Sequence, residues 1–193
     1  AAHQYGGEQQ GEERDEGIHG LQSRVHAGPA SSVGRTGIMA AMISPNDPRL
    51  ALLAESYRRL TGRDLVPPGL ELARALWESP RVIVAHGVEE DPVFFYGNRL
   101  ALAVFAMDFA TFTRLPSRFS AEPVAREERA RLLDQVRRLG YIDDYAGVRI
   151  AADGRRFRIA GATVWNLVDG AGCLHGQAAC FTPPEPWAGP EAD

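Results

Sequence analysis

The chain has 193 residues, a formal net charge of −4 and a hydrophobic fraction of 45%. This length and composition predict one globular domain with its own core. The mild negative charge gives no general reason to expect nucleic acid as a partner. No apolar run nears the ~20 residues of a membrane helix, and no segment resembles a secretory signal. We therefore expect a cytoplasmic protein without membrane association.

All 21 basic residues are arginines, which we interpret as a compositional bias. The lack of lysine excludes lysine-dependent chemistry such as Schiff-base formation. Cys173 and Cys180 form neither a CxxC motif nor a zinc-ligand spacing. If both lay on one strand, their odd separation would place them on opposite faces, where they could not form a disulfide. We predict two reduced, buried thiols, as expected in a cytoplasm.

Both ends of the chain have compositions that are unfavourable for a folded core. Residues 1–41 are rich in Gly, Glu, Gln and Arg, and we predict a disordered tail there. Three of the five histidines fall in this tail at irregular spacing, so no metal role is assigned to them. Met39 or Met42 is a candidate for the natural start. Prolines make 182–193 a predicted flexible tail, which leaves a domain over 45–181.

Two amphipathic helices are predicted ahead of the first strand. The first begins at Asp47-Pro48, an N-cap followed by proline, and ends at Gly62. The second is expected to open at Pro67-Pro68 and to close before Pro80. These helices are predicted either to cover the open face of a sheet or to form a dimer seam. The apolar residues of that seam would be Leu50, Leu53, Tyr57, Leu72 and Leu76.

The middle of the chain alternates short strands and helices. Strands are predicted over 82–85 and 93–96, followed by small helices capped by Asn98 and Asp108. The longest helix is predicted over 124–139. Acidic residues are interleaved with its arginines, which favours a solvated surface over a nucleic-acid face.

From Tyr141 onward the pattern predicts β-structure. Asp153-Gly154 marks a hairpin turn, and 157–168 forms the return strand. Residues 173–181 form the last strand. The whole order predicts an α+β protein with a five-stranded antiparallel sheet, helices over one face and two N-terminal helices.

Several dispersed motifs share one pattern. They are Glu90-Asp-Pro92, Phe95-Tyr-Gly-Asn-Arg99, Leu115-Pro-Ser-Arg118, Ala121-Glu-Pro123, Gly147-Val-Arg-Ile150, Gly154-Arg-Arg-Phe157, Thr163-Val-Trp-Asn166 and His175-Gly-Gln177. Together they resemble the MEKHLA domain, over roughly residues 45–181. That family is known from the C-termini of plant homeodomain–leucine zipper transcription factors and from stand-alone bacterial and algal proteins.

The resemblance implies a PAS-like fold and a protein of the stand-alone bacterial type. No homeodomain or leucine zipper accompanies these motifs, so the plant DNA-binding function is not carried over. In photosensory PAS domains a reactive cysteine stands in a run ending Cys-Arg-Phe, where this chain has Ser117-Arg118-Phe119. Serine cannot form a thiol–flavin adduct, which argues against that photocycle. For haem, His86 and His175 are the available axial ligands in the domain, and we interpret both as ordinary polar contacts. The cofactor is left unknown.

We expect no enzymatic activity. The sequence has no Gly-rich phosphate loop, no G-x-S-x-G elbow and no HExxH. Two carboxylate clusters, at 89–91 and 143–144, are candidates for acid–base catalysis or metal binding. Adjacent acidic residues at turns are usually solvated, so we favour that interpretation.

The leading hypothesis is a PAS-like sensory module that binds a small molecule and signals through protein contacts. Sheet and small helices would enclose a small apolar cavity with a few polar groups. The predicted lining residues are Tyr96, Asn98, Phe105, Phe112, Arg118, Trp165 and Gln177. Arg118 is expected to pair with Glu122 or to hold an anionic ligand.

The alternative is a ligand-free interaction module that dimerises through its N-terminal helices. The two hypotheses differ in the interior of the domain. Ligand binding requires a cavity larger than a water molecule, whereas pure interaction is compatible with a filled core.

Overall fold

The computed structural model describes residues 47–121 and 126–184, with the side chains of residues 126, 128 and 129 left out. The predicted tail over 1–41 lies outside these ranges, as does most of the tail over 182–193. No helix within the described ranges combines the length and the apolar character needed to cross a bilayer.

An antiparallel sheet organises the described part of the chain, and it confirms the predicted α+β fold class. Its strands lie in the order β2-β1-β5-β4-β3, and every neighbouring pair is antiparallel. The strands are β1 Val82–His86, β2 Phe94–Gly97, β3 Tyr141–Ile150, β4 Arg156–Val168 and β5 Leu174–Phe181.

Helices lie before the sheet and between its second and third strands. They are α1 Pro48–Thr61, α2 Leu72–Glu78, α3 Arg99–Phe105, α4 Phe109–Phe112 and α5 Arg126–Leu139, with a 3₁₀ helix over Ser117–Ser120. The predicted caps Asp47, Asn98 and Asp108 each accept a backbone N–H of the helix that follows.

The start of α2 differs from the sequence prediction. The helix begins at Leu72, after Pro67-Pro68, because the Glu71 carboxylate accepts hydrogen bonds from the N–H groups of Ala73 and Arg74. A carboxylate in that position satisfies two donors that the first helical turn leaves without partners.

Apolar side chains cover both faces of the sheet. On the first face, α1 and α2 pack over Trp165 and Leu167 of β4. On the second face, α3 and α4 pack over Val84 of β1 and Ile159 of β4. The N-terminal helices therefore cover the sheet face that the small helices leave open.

This arrangement corrects the predicted dimer seam. Leu50, Leu53, Tyr57 and Leu76 are buried in the core that α1 and α2 form with their own sheet, and Leu72 is half-buried there. These side chains pack inside the molecule, so they do not form the predicted dimer seam on its surface.

The two cysteines differ in environment. Cys180 is buried on β5, and burial raises the pKa of its thiol. Cys173 precedes β5 and is exposed, which corrects the prediction that both thiols are buried. The Asp169–Gly172 turn ends just before Cys173, so its side chain lies at the loop rather than in the sheet.

Candidate ligand cavity

A cavity of about 50 Å³ lies between the second face of the sheet and helix α5. Phe105, Ile159 and Val164 form apolar walls, and the half-buried Leu132 and Leu133 of α5 also line the cavity. Polar side chains reach the same space from β1, β3 and β5 and from the 3₁₀ helix: His86, Ser120, Tyr145, Arg149 and Gln177. An apolar space with a few convergent polar groups has the general form of a small-molecule site.

Arg149 and Tyr145 form the most polar wall of the cavity. Arg149 is only 7% exposed, and its Nη2 donates to the Tyr145 hydroxyl at 2.7 Å while Nη1 donates to the Val148 carbonyl at 2.8 Å. The two side chains meet across Gly147, where an added Cβ would collide with the Tyr145 hydroxyl and crowd Arg149 Nη1. The absence of a side chain at Gly147 thus makes this pair possible.

Gln177 connects the cavity to helix α5. Its Nε2 donates to the Leu133 carbonyl at 2.9 Å and to Asn166 Oδ1 at 3.0 Å. Asn166 in turn donates to the carbonyls of Val136 and Arg137 at 3.0 and 3.2 Å. The second half of α5 is therefore held to β4 and β5 by two amides, one of which lines the cavity.

His86 lines the cavity from the end of β1. Its Nδ1 lies 2.9 Å from the Gly87 carbonyl, and its ring meets Phe94 edge-on. An N–H on Nδ1 must donate to that carbonyl, because a carbonyl only accepts. This contact fixes the orientation of the ring at the cavity wall.

Of the seven predicted site residues, the structure places Phe105 and Gln177 in the lining of the cavity. Phe112 belongs to the same core, where it stacks on Phe94 at 4.5 Å between ring centroids and lies 5.4 Å from Phe105. These three predicted residues therefore share one face of the sheet.

Tyr96 and Trp165 lie in the other core, under the N-terminal helices. Trp165 packs edge-on against Tyr57 and donates to Ser56. The Tyr96 hydroxyl is buried without a hydrogen-bond partner among the described residues, and burial raises the pKa of Tyr96. Neither side chain reaches the cavity, because the sheet separates the two cores.

Asn98 and Arg118 also lie away from the cavity. Asn98 is fully buried and holds backbone groups of α3, β1 and the segment before β1 together. Arg118 is half-exposed, pairs with Asp91 at 3.3 Å and stacks over Phe119 at 4.3 Å. The predicted partner of Arg118, Glu122, lies outside the described residues.

Sequence reasoning missed Tyr145 and Arg149, the polar wall of the cavity. Both residues lie on β3, each two residues away from Gly147. Side chains spaced by two residues share a face of a strand. The available signal was Arg149, a charged residue between Val148 and Ile150 in a predicted strand. It indicates that this face of the strand contains a polar site.

Two residues of the predicted carboxylate clusters make ordinary polar contacts, Asp91 with Arg118 and Asp143 with Thr163 and Arg63. Asp143 accepts hydrogen bonds from Thr163 at 2.7 Å and from Arg63 at 2.9 Å. His175 Nε2 contacts Asp169 Oδ2 at 2.9 Å on the surface, away from the cavity. In the part of the chain that the structure describes, no three metal-ligating side chains converge on one point.

Solved structures that align with this chain include a PAS domain and a light-oxygen-voltage domain. The PAS domain of a protein from Colwellia psychrerythraea aligns with a TM-score of 0.50 and 13% identity, over 56% of this chain and 89% of that chain. A fungal light-oxygen-voltage photoreceptor domain aligns with a TM-score of 0.49 and 16% identity, over 74% and 94% of the two chains. No curated protein matches the chain in sequence.

The sheet order, the small helices and the face on which they pack define a PAS-like domain. The family is given by the sequence: the MEKHLA domain profile matches residues 48–185. The chain belongs to the MEKHLA domain family, as the dispersed motifs predicted.

The geometry does not fit a flavin, the cofactor that the sequence analysis considered for photosensory PAS domains. The cavity of about 50 Å³ is far below the roughly 300–1,000 Å³ of pockets that enclose ligands of that size. Ser117, at the position compared with the photosensory cysteine, is fully buried, and its hydroxyl has no partner among the described residues. Neither the space nor the nucleophile matches a flavin photocycle.

Proposed function

We propose that this domain is a sensory module that binds a small molecule in the cavity between the sheet and helix α5. The observation that carries the proposal is the cavity itself, of about 50 Å³. A space of that size admits roughly three to five water molecules, at about 10–15 Å³ for each. It therefore exceeds the single-water limit that separates ligand binding from a filled core.

The signal in this proposal travels through α5. Leu132 and Leu133 border the cavity, and the Gln177 amide contacts both the cavity and the Leu133 carbonyl. A ligand that hydrogen-bonds to Gln177 competes with Leu133 for the same amide, so binding changes how firmly α5 is held to the sheet. The outer surface of the helix then presents this change to a protein partner.

Methyl NMR spectra of the full chain test ligand binding. The chain is titrated with anionic, neutral and cationic small molecules of up to roughly five non-hydrogen atoms, a size set by the cavity volume. We expect shifts of the methyl signals of Val84, Leu132, Ile159 and Val164, which line the cavity.

The Ala162→Leu variant is the control, because Ala162 is buried at the cavity wall and the added carbons fill the space. Shifts in the wild type that vanish in this variant support the proposal. If no molecule shifts the lining methyl groups, the interior behaves as a filled core and the proposal fails.

A further inference from the structure

Arg149 presents a chemical problem that the fold alone does not solve. The residue is 7% exposed, so its guanidinium is largely removed from water. A buried charge is costly unless it is paired and hydrogen-bonded. Among the described side chains no carboxylate contacts Arg149; its polar partners there are the Val148 carbonyl and the Tyr145 hydroxyl.

Several N–H donors of the guanidinium have no acceptor among the described residues. The guanidinium carries five N–H groups in a fixed planar fork, and the described contacts use one on Nη1 and one on Nη2. Arg149 lines the cavity, so the remaining donors have open space beside them. Tyr145 holds the guanidinium from one side and adds a hydroxyl next to it, which gives two adjacent polar groups at one wall.

The rest of the lining is mostly apolar, with His86, Ser120 and Gln177 as its other polar side chains. Phe105, Ile159 and Leu132 face the same space. The cavity thus combines the cationic Arg149 side chain with apolar side chains that can contact a short hydrocarbon chain. Its volume of about 50 Å³ admits roughly three to five non-hydrogen atoms if each takes the space of a water molecule.

We propose that Arg149 and Tyr145 form an anion subsite, and that the ligand of this domain is a short aliphatic carboxylate. The carboxylate accepts hydrogen bonds from the donors of Arg149 that no described residue engages, and the hydrocarbon chain contacts Phe105 and Ile159. Planar carboxylates match the guanidinium fork in two parallel hydrogen bonds. This inference rests on the proposed function, since it names the chemical class of ligand for the same cavity.

The test compares propionate with propionamide, its neutral isostere, by methyl NMR titration of the full chain. We expect propionate to bind with a Kd at least tenfold lower, because only the anion neutralises Arg149. The Arg149→Met variant is expected to lose this preference, while Arg149→Lys keeps part of it because it retains the charge without the fork. Arg118→Met is the matched control, since Arg118 is a half-exposed arginine outside the cavity, and it is expected to bind propionate like the wild type.

The outcomes separate the two proposals. If propionate and propionamide shift the lining methyl groups with equal Kd, ligand binding stands and the anion subsite fails. Equal Kd values are also expected if a carboxylate of the chain itself already neutralises Arg149, and in that case too the inference is overturned. If Arg149→Met keeps the preference for propionate, the subsite lies elsewhere and the inference fails. If neither molecule shifts these signals, the anion subsite fails, while the ligand-binding proposal fails only if no molecule of the wider titration series shifts them. If Arg149→Met does not fold, the comparison of propionate with propionamide in the wild type still tests the anion subsite.

Discussion

The indole Nε1 of Trp165 donates a hydrogen bond to the Ser56 hydroxyl at 3.2 Å, which joins helix α1 to strand β4 inside the first core. Ser56 donates in turn to the Leu52 carbonyl. Both side chains are fully buried, so neither has water as a substitute partner. Helix α1 is therefore bound to the sheet by a polar contact as well as by apolar packing.

The Ser56→Ala variant is predicted to lower the free energy of unfolding by about 1–3 kcal/mol, because it leaves the Trp165 N–H buried without a partner. Urea unfolding followed by tryptophan fluorescence measures this change. Ser117→Ala is the matched control: Ser117 is equally buried, but its hydroxyl has no partner among the described residues. We expect that substitution to leave stability unchanged or to raise it, because it removes a buried hydroxyl that has no described partner. An equal loss in both variants would contradict the assigned role of Ser56.

Asn98 is predicted to be a structural residue of the fold. Its Oδ1 accepts from the N–H groups of Ile83 at 3.1 Å and Ala101 at 3.0 Å, and its Nδ2 donates to the Arg81 carbonyl at 2.7 Å. The Asn98→Ala variant leaves two buried N–H groups without acceptors, at about 1–3 kcal/mol each. We expect a loss of about 2–6 kcal/mol in the free energy of unfolding, measured in urea.

Asp108→Ala provides the comparison for Asn98. Asp108 caps α4 through one exposed hydrogen bond to the Thr111 N–H. Loss of a helix cap costs about 0.5–2 kcal/mol, so this variant is expected to be the milder of the two. A larger effect at Asp108 than at Asn98 would show that the buried hydrogen bonds of Asn98 are not its main contribution.

Gly176 is predicted to be required for the pairing of β1 with β5. Its φ is +153°, and an added Cβ would collide with the His86 backbone carbonyl. That atom cannot rotate away, so Gly176→Ala must displace one of the two strands. We expect destabilisation of about 1–3 kcal/mol, as for other overpacked sites, measured as the free energy of unfolding in urea. Gly170→Ala is the control, because a Cβ there meets nothing within 4 Å, and it should leave stability nearly unchanged.

Asp143 is predicted to make stability depend on pH in the acid range. Burial opposes its ionisation, but hydrogen bonds from Thr163 and Arg63 outweigh burial and hold the pKa of Asp143 below its usual value. A lowered pKa in the folded state contributes stability above the unfolded pKa of about 3.9, and this contribution is lost as pH falls through the folded value.

Asp143→Asn is therefore expected to be less stable than the wild type at pH 7, with a difference that shrinks toward pH 3. Urea unfolding at the two pH values measures it. Asp144→Asn is the neighbouring control: Asp144 has a left-handed φ of 61°, which asparagine tolerates well. A constant difference for Asp143→Asn across this range would contradict the role of its charge.

Local sequence signals identified the elements of this fold well. Asp47-Pro48 and Gly62 bound α1 as predicted, because a capping carboxylate and a left-handed glycine act within one turn of their own position. Asp153-Gly154 likewise gave the β3–β4 hairpin, with a φ of +83° at Gly154. The sequence predicts the start of α2 at Pro67-Pro68, too early in the chain. The helix begins after Glu71, whose carboxylate is a less common N-cap and was not recognised as one.

The cavity could not be located from the sequence, since its position depends on which face of the sheet each side chain takes. Residues 162–167 of β4 are all buried, because helices cover both faces of the sheet. A strand buried on both sides shows no alternation of polar and apolar residues. Trp165 and Val164 are neighbours in sequence, yet Val164 faces the cavity and Trp165 faces α1.

The central claim, that this MEKHLA domain is a sensor whose cavity acts on helix α5, is tested most directly by hydrogen exchange. Amide exchange of the full chain is measured by mass spectrometry with and without the molecule that gives the largest methyl shifts. Exchange reports the free energy of local opening, so a ligand that competes for Gln177 changes exchange in α5 while α1, on the other face of the sheet, stays unchanged. That result supports the account. Equal exchange of α5 in the two states, or one uniform change over α1 and α5, would contradict it.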